Sequence, residues 1–342
     1  MFLKSDRELF RRRRSLRWLR VVLVLALLGA GAYFLYQRLD AFVTPFTEAP
    51  LPTPLPTPTP GAGYYASQGA DAYLDGATSA AIEAYRLALD MEPNQTDLYL
   101  ELARMLVYYG QPERALEMAR QAVLRQPESA LAWALLGRAY DWMGLPGYAI
   151  EYIEKAVELD PTLPEAYAYL AEAYIDSGNW GAANQTIATA VELDATNTEV
   201  LRNQAYVLEN QGNYSGAIAG YEEALMVNDQ LAHLYLAIGR NAGALGNLLR
   251  ARNAFEEAVE IDSNHALARD KLGWTQLLLG DYDAAKVNLE AALEQDPTIT
   301  DVYGHMGTLY FHQRNYEDAI EMFEPAIVYG EARSRRQSVL FV

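Results

Sequence analysis

The 342-residue sequence contains no cysteine. Disulfides, thiolate zinc sites and cysteine nucleophiles are therefore excluded, while the redox character of the compartment stays open. Histidine is nearly as scarce: His233, His265, His305 and His312 are the whole set. His305 and His312 lie seven apart, which places them on one face of a helix. No third ligand stands at a useful spacing, so surface or packing roles suit them better than a metal. There is no His-Glu-x-x-His, no phosphate-binding glycine loop and no Gly-x-Ser-x-Gly. Asp281-Tyr282-Asp283 opens like a calcium loop but lacks the ligands and glycine that follow in one, and it reads as the start of a helix. An enzyme needs converging acid, base or metal groups. None is legible, so the expectation is a non-enzymatic chain without cofactor or metal.

Positive charge is scarce beyond residue 40. Residues 1–40 hold nine Lys and Arg against three Asp and Glu, and the remainder holds 18 against 42 within an overall charge of −18. An acidic body repels phosphates, so no nucleic-acid partner is expected; the acidity itself is read as solubility of a long surface. Eight basic residues precede Val21, and Val21–Tyr36 is uncharged and mostly apolar. Sixteen residues is short of the roughly 20 that span a bilayer, but Trp18 and Leu19 extend the run if Arg20 snorkels. The charge bias predicts a cytoplasmic basic tail at 1–20, a signal-anchor helix in lipid at 21–39, and everything after it outside the cytoplasm. A cleaved signal peptide is the competing reading, because Ala30-Gly31-Ala32 offers small residues for cleavage. Residues 40–63 are rich in Thr and Pro and form a spacer, either an extended strut of up to roughly 50 Å at about 3.1 Å per residue or a loose tether.

Beyond the spacer the chain repeats. Alanine pairs seven residues apart recur every 34 residues, at Ala81/Ala88, Ala115/Ala122, Ala149/Ala156, Ala183/Ala190, Ala217/Ala224, Ala251/Ala258, Ala285/Ala292 and Ala319/Ala326. Residues seven apart share a helical face. Each unit reads as two helices with a tight turn; in the clearest, Trp133, Leu136, Gly137 and Tyr140 make an apolar stripe, Gly144-Leu145-Pro146 breaks the helix, and Asp160-Pro161 ends its partner. Small residues recur at Gly69, Ala103, Gly137, Ala171, Ala205, Gly239, Gly273 and Gly307. Four residues earlier stands a large one: Tyr65, Tyr99, Trp133, Tyr167, Leu201, Tyr235 and Tyr303, with Arg269 as the exception. Large side chains of one helix are expected to fill the space left by small ones of its partner. No unit buries its apolar face alone, so units must stack.

The period of 34 and the series Trp133-x-x-Leu136-Gly137-x-x-Tyr140…Ala149…Ala156…Pro161 resemble the tetratricopeptide repeat (TPR) family over residues 62–333. The resemblance implies an all-α fold: a right-handed solenoid of about eight helix-turn-helix repeats at 64–333, close to one superhelical turn, binding other proteins or extended peptides. Residues 334–342, Ser-Arg-Arg-Gln-Ser-Val-Leu-Phe-Val, read as a separate tail.

In such a solenoid the first helix of each repeat lines the concave groove. Positions off the packing stripe are Arg104, Tyr108, Arg138, Trp142, Arg202, Tyr206, Arg240 and Trp274, together with Asp141, Glu172, Asp270 and Phe311, and all are expected to be exposed. Arg104, Arg138 and Arg240 share one repeat position. Either these arginines receive carboxylates of an acidic partner peptide, with Trp142 and Tyr206 as anchors, or they neutralise carboxylates within the solenoid. The Lys–Asn set with which some relatives grip a C-terminal carboxylate is absent, so chaperone-tail binding is not expected. The leading expectation is a membrane-anchored, extracytoplasmic scaffold; the alternative is a permanent subunit of a larger membrane complex.

Overall fold

The computed structural model describes the backbone of residues 9–42 and 60–340 and the side chains of residues 18–38 and 60–328. The first eight residues, most of the Thr/Pro spacer and the last two residues lie outside the described set. Two units are separable, Met1–Thr59 and Pro60–Val342, and each is taken by itself.

The first unit holds helix α1 (Leu9–Phe42). Within it Trp18–Arg38 forms a 21-residue segment long and apolar enough to cross a membrane. At about 1.5 Å per residue this segment matches a hydrocarbon core of roughly 30 Å. The helix begins upstream of Val21, so Trp18 and Leu19 join the apolar run as expected. All side chains from Trp18 to Arg38 are exposed within this unit.

The second unit is built from helix pairs: α2 (Ala62–Leu74) with α3 (Thr78–Met91), α4 (Thr96–Tyr108) with α5 (Pro112–Arg125), α6 (Ala130–Trp142) with α7 (Pro146–Leu159), and α8 (Pro164–Asp176) with α9 (Trp180–Leu193). The series continues with α10 (Thr198–Asn210) and α11 (Tyr214–Val227), α12 (Ala232–Ala244) and α13 (Leu248–Ile261), α14 (Ala266–Leu279) and α15 (Tyr282–Gln295), and α16 (Thr300–His312) and α17 (Tyr316–Leu340). No strand occurs among the described residues. The eight pairs are the eight repeats.

Within each pair the small residue of the first helix faces a partner sixteen positions later. A Cβ added to Gly69 would lie 2.9 Å from the Tyr85 ring, one on Gly273 2.8 Å from Leu289, and one on Gly307 2.6 Å from Phe323. Gly137 and Gly239 are closed in the same way by Ile153 and Phe255. Large-into-small packing thus holds these five hairpins together. The alanine pairs of the first seven repeats are fully buried, as Ala149 and Ala156 illustrate. In the eighth, Ala319 is buried and Ala326 only half-buried.

Two devices set the turns. Within each of the first seven repeats a glycine with φ between 75° and 84° ends the first helix, from Gly76 to Gly280 at intervals of 34. This left-handed conformation suits glycine because no Cβ clashes. In the eighth repeat Arg314 takes the same place at φ 62°. At three junctions between repeats an Asp side chain accepts from the Thr two residues on, as in Asp160 Oδ1 from Thr162 N at 2.9 Å and Oγ1 at 2.7 Å. The large residue of the first helix adds a bond to the carbonyl six residues before it: Tyr99 to Pro93, Trp133 to Pro127 and Tyr303 to Pro297. Arg269, the exception in sequence, makes the equivalent bond, Nε to the Ser263 carbonyl at 2.8 Å. Asp281 caps α15 by accepting from Ala284 N. Helix α17 runs unbroken past residue 333 to Leu340, so residues 334–340 continue the last helix instead of forming a separate tail.

Candidate protein-interaction site

The inner face of the solenoid carries the candidate residues, and it differs from expectation. Solenoid repeats normally touch only their neighbours. Here repeats 1 and 2 reach across to repeats 5 and 6 and the loop that follows repeat 6. Ser79 at the start of α3 donates its backbone N–H and hydroxyl to the two carboxylate oxygens of Asp262, at 2.8 and 2.7 Å. The Tyr109 hydroxyl donates to the Asn264 carbonyl at 2.6 Å, and its ring leans on His265. Tyr108 stacks on His233 with ring centres 3.7 Å apart and planes 9° apart, and its hydroxyl donates to Glu199. At Gly76 a Cβ would come within 2.7 Å of the Gln230 carbonyl. The resemblance implied a turn of about eight repeats; contact is already made between repeat 1 and the loop after repeat 6.

This closure corrects the expected exposure. Arg138 is only 1% exposed, and Tyr108, Arg202, Asp141, Glu172 and Asp270 are also buried. Each lies off the packing stripe of its own hairpin, but helices from across the turn, or the next first helix along it, cover it. Trp142, Tyr206 and Trp274 are half-buried, as is Arg104, while Arg240 and Phe311 remain exposed.

The inner-face arginines are matched mostly within the chain. Arg202 donates to Glu172 and to Asn203 Oδ1. Trp142 Nε1 donates to the other oxygen of Glu172 at 3.1 Å. Arg240 grips Glu209 with two bonds, Nε to Oε1 at 2.7 Å and Nη2 to Oε2 at 2.9 Å. Tyr206 donates to Asp176 at 2.7 Å. Trp274 stacks on His305, whose Nδ1 lies 2.6 Å from Asp270 Oδ1. Arg202 and Arg240 thus each pair with a carboxylate of the solenoid itself.

Arg138 is different. Its guanidinium carbon stands 4.1 Å from the Tyr108 ring centre and 4.2 Å from that of Tyr169. Nη1 lies 3.3 Å from Glu199 Oε2, but none of its three nitrogens has a hydrogen-bonding acceptor, and neither do Arg104 Nε and the Tyr169 hydroxyl. Glu199 is held below the usual carboxylate range: burial alone would raise it, but Arg138 and the Tyr108 hydroxyl outweigh that. Both oxygens of Asp141 are likewise buried without a partner. Burial, with Glu172 and Asp176 nearby, pushes Asp141 up to about 9, so at neutral pH it is protonated. The axis therefore holds more buried donors than acceptors. Sequence reasoning could not find this asymmetry, because it depends on side chains of other repeats.

The hairpin geometry and its 34-residue period define a helical-repeat solenoid. The tetratricopeptide repeat family model matches residues 72–140, 143–205 and 276–332, and a second tetratricopeptide repeat model matches 232–265. The chain belongs to the tetratricopeptide repeat family. No curated protein matches the sequence. Among solved structures, a chain of the APC/C hetero-tetramer Cut9–Hcn1 is 19% identical with a TM-score of 0.58, the match covering 78% of this chain and 52% of that one. The human IFIT1 dimer with PPP-AAAA is 20% identical with a TM-score of 0.57, covering 77% of this chain and 68% of that one. The chain thus spans about half the length of the first of these, and both likenesses concern the fold. Among the described residues no group of three His, Asp or Glu side chains is placed to hold a metal ion.

Proposed function

We propose that this chain is a membrane-anchored scaffold whose solenoid recruits proteins outside the cytoplasm. The observation that carries the reading is the 21-residue apolar helical segment Trp18–Arg38, without a covering partner in its own unit, in a chain whose other unit is an interaction solenoid. The basic excess before the segment favours a cytoplasmic N-terminus. A cleaved signal sequence meets the same length and composition, and Tyr33-Phe34-Leu35-Tyr36 beyond the small residues favours retention.

The recruiting face is the inner one. Tyr206, Arg240 and Trp274 form its accessible part, and Arg104 and Arg138, with their unmatched donors, suit carboxylates of an extended acidic segment. Tyr108, Trp142 and Arg202 act by shaping the wall behind them. Neither catalysis nor nucleic acid enters this reading. An exposed apolar set on repeat 8, namely Phe311, Tyr316, Ile320 and Ile327, favours the second reading, a permanent subunit of a larger membrane complex that covers this end.

Two measurements test the scaffold. Full-length chain should stay in membranes through an alkaline wash, and protease added from the outer side should remove the solenoid; release by the wash contradicts the anchor. Partners captured from detergent-solubilised membranes should be lost at least tenfold with Arg240→Ala and Trp274→Ala, and unchanged capture by both refutes the inner face as the recruiting site.

A further inference from the structure

We propose that the first superhelical turn is clasped shut by the contacts of repeats 1 and 2 with repeats 5 and 6 and the loop after repeat 6, and that the clasp withholds the Arg138 donors from a partner's carboxylates until it opens. The proposal rests on the reading of the inner face as the recruiting surface.

Three observations carry it. First, the clasp is formed by turns and helix ends, not by packing stripes. Ser79–Asp262, Tyr109–Asn264 and Tyr108–His233 join residues 183, 155 and 125 apart in sequence. The hairpins keep their own internal packing, such as Tyr85 against Gly69 and Ile153 against Gly137. Opening the clasp leaves that nearest-neighbour packing intact, which is the condition for a solenoid to flex without unfolding.

Second, the closed state is poorly matched inside. Arg138 is buried with three unaccepted nitrogens beside the unaccepted Arg104 Nε and Tyr169 hydroxyl. Buried donors without acceptors oppose closure, so closure depends on the clasp contacts. A carboxylate is the group that answers these donors, because its two oxygens match the guanidinium fork. Glu199 faces the same guanidinium but is already engaged by Tyr108.

Third, Tyr108 belongs to both sets. Its ring faces the Arg138 guanidinium at 4.1 Å and stacks on His233. Separation of repeat 2 from repeat 6 breaks that stack and frees the Tyr108 ring, which covers one face of the Arg138 guanidinium.

The cysteine-free full-length chain in detergent is treated with phenylglyoxal, which modifies accessible guanidinium groups, and Arg138 and exposed Arg314 are followed by mass spectrometry. In the wild type Arg138 should react at least tenfold more slowly than Arg314. In Ser79→Ala/Tyr109→Ala, with circular dichroism verifying unchanged helix content, the two should come within threefold. Should the double variant lose helix, Tyr109→Phe, which removes only the bond to Asn264, should still speed Arg138 at least twofold. Arg138 reacting like Arg314 in the wild type, or remaining protected in the folded variants, overturns the clasp. Because no partner takes part, this failure is distinct from failure of the scaffold reading, which shows only in partner capture.

Discussion

Asp141 offers the sharpest energetic test of the closed interior. Both its oxygens are buried without a hydrogen-bond partner. Burial, then Glu172 and Asp176, raise its pKa from 3.8 to about 9. The unfolded chain ionises this carboxyl near pH 4, whereas the folded chain keeps the proton. For a raised pKa, stability is fully present below the unfolded value and declines as pH rises toward the folded one. Between pH 4 and 7 the loss is at most about 4 kcal/mol, at about 1.36 kcal/mol per unit. Water penetration and local relaxation reduce it to roughly 2 kcal/mol. Asp141→Asn carries no such burden, so it should be about 2 kcal/mol more stable than wild type at pH 7, or roughly 4–8 °C in melting temperature. The gain should vanish near pH 4 and grow toward pH 8.5. Thermal unfolding of both proteins, followed by circular dichroism at these three pH values, measures it. A variant equal to or weaker than wild type at pH 7, or a difference flat with pH, would refute the reasoning and mean that the carboxylate is ionised and paired.

Further outcomes concern the repeat itself and its closure. Arg314→Gly should stabilise repeat 8 by about 0.5–1 kcal/mol, because the left-handed conformation at φ 62° penalises a Cβ; a loss in urea melts contradicts this. Arg269→Ala should lose about 1 kcal/mol with its bond to the Ser263 carbonyl, and Arg269→Tyr should restore it by adopting the bond Tyr99 and Tyr303 make; failure of the tyrosine to rescue denies the equivalence. Gly239→Ala should cost about 1–3 kcal/mol by driving a Cβ into Phe255, and Gly239→Ala/Phe255→Leu should recover part of it; no recovery would place the strain elsewhere. His233, facing Tyr108, Arg138, Arg202 and His265, has its pKa lowered well below 6.5, chiefly by burial. His265, against Asp262, Tyr109 and the Tyr108 carbonyl, is also lowered by burial, with Asp262 opposing. Depressed histidines favour closure above the unfolded pKa, and that support falls away as pH drops below about 6.5. Arg138 should therefore react faster with phenylglyoxal at pH 5.5 than at pH 7.5 after correction by Arg314; an unchanged ratio contradicts it.

Much of the fold was legible because stacking repeats one solution. The alanine pairs fixed the number of hairpins, and the five glycines among the small positions found their large partner sixteen residues on, as Gly69 finds Tyr85 and Gly273 finds Leu289. The turn glycines are equally regular in sequence, from Gly76 to Gly280, and mark Arg314 as the deviant. The inner face was legible in position but not in exposure. Periodicity reports which side of a hairpin a residue occupies, and Arg138 and Arg202 do lie off the stripe. It carries no information on superhelical closure, which sums small rotations between repeats until Tyr108 meets His233. Asp141 and Glu172 were misjudged for the same reason: the residues that bury or engage them belong to other repeats.

The most direct test of the account is a distance across the closed turn. The chain has no native cysteine, so Glu113→Cys and Ser263→Cys place two spin labels uniquely, one beside the Tyr109 contact and the other beside Asn264. Pulsed dipolar spectroscopy at pH 7.5 should give one short, narrow distance that broadens and lengthens in Ser79→Ala/Tyr109→Ala. A long or broad distribution in the unperturbed chain would contradict closure of the first turn, and with it the burial of Arg138.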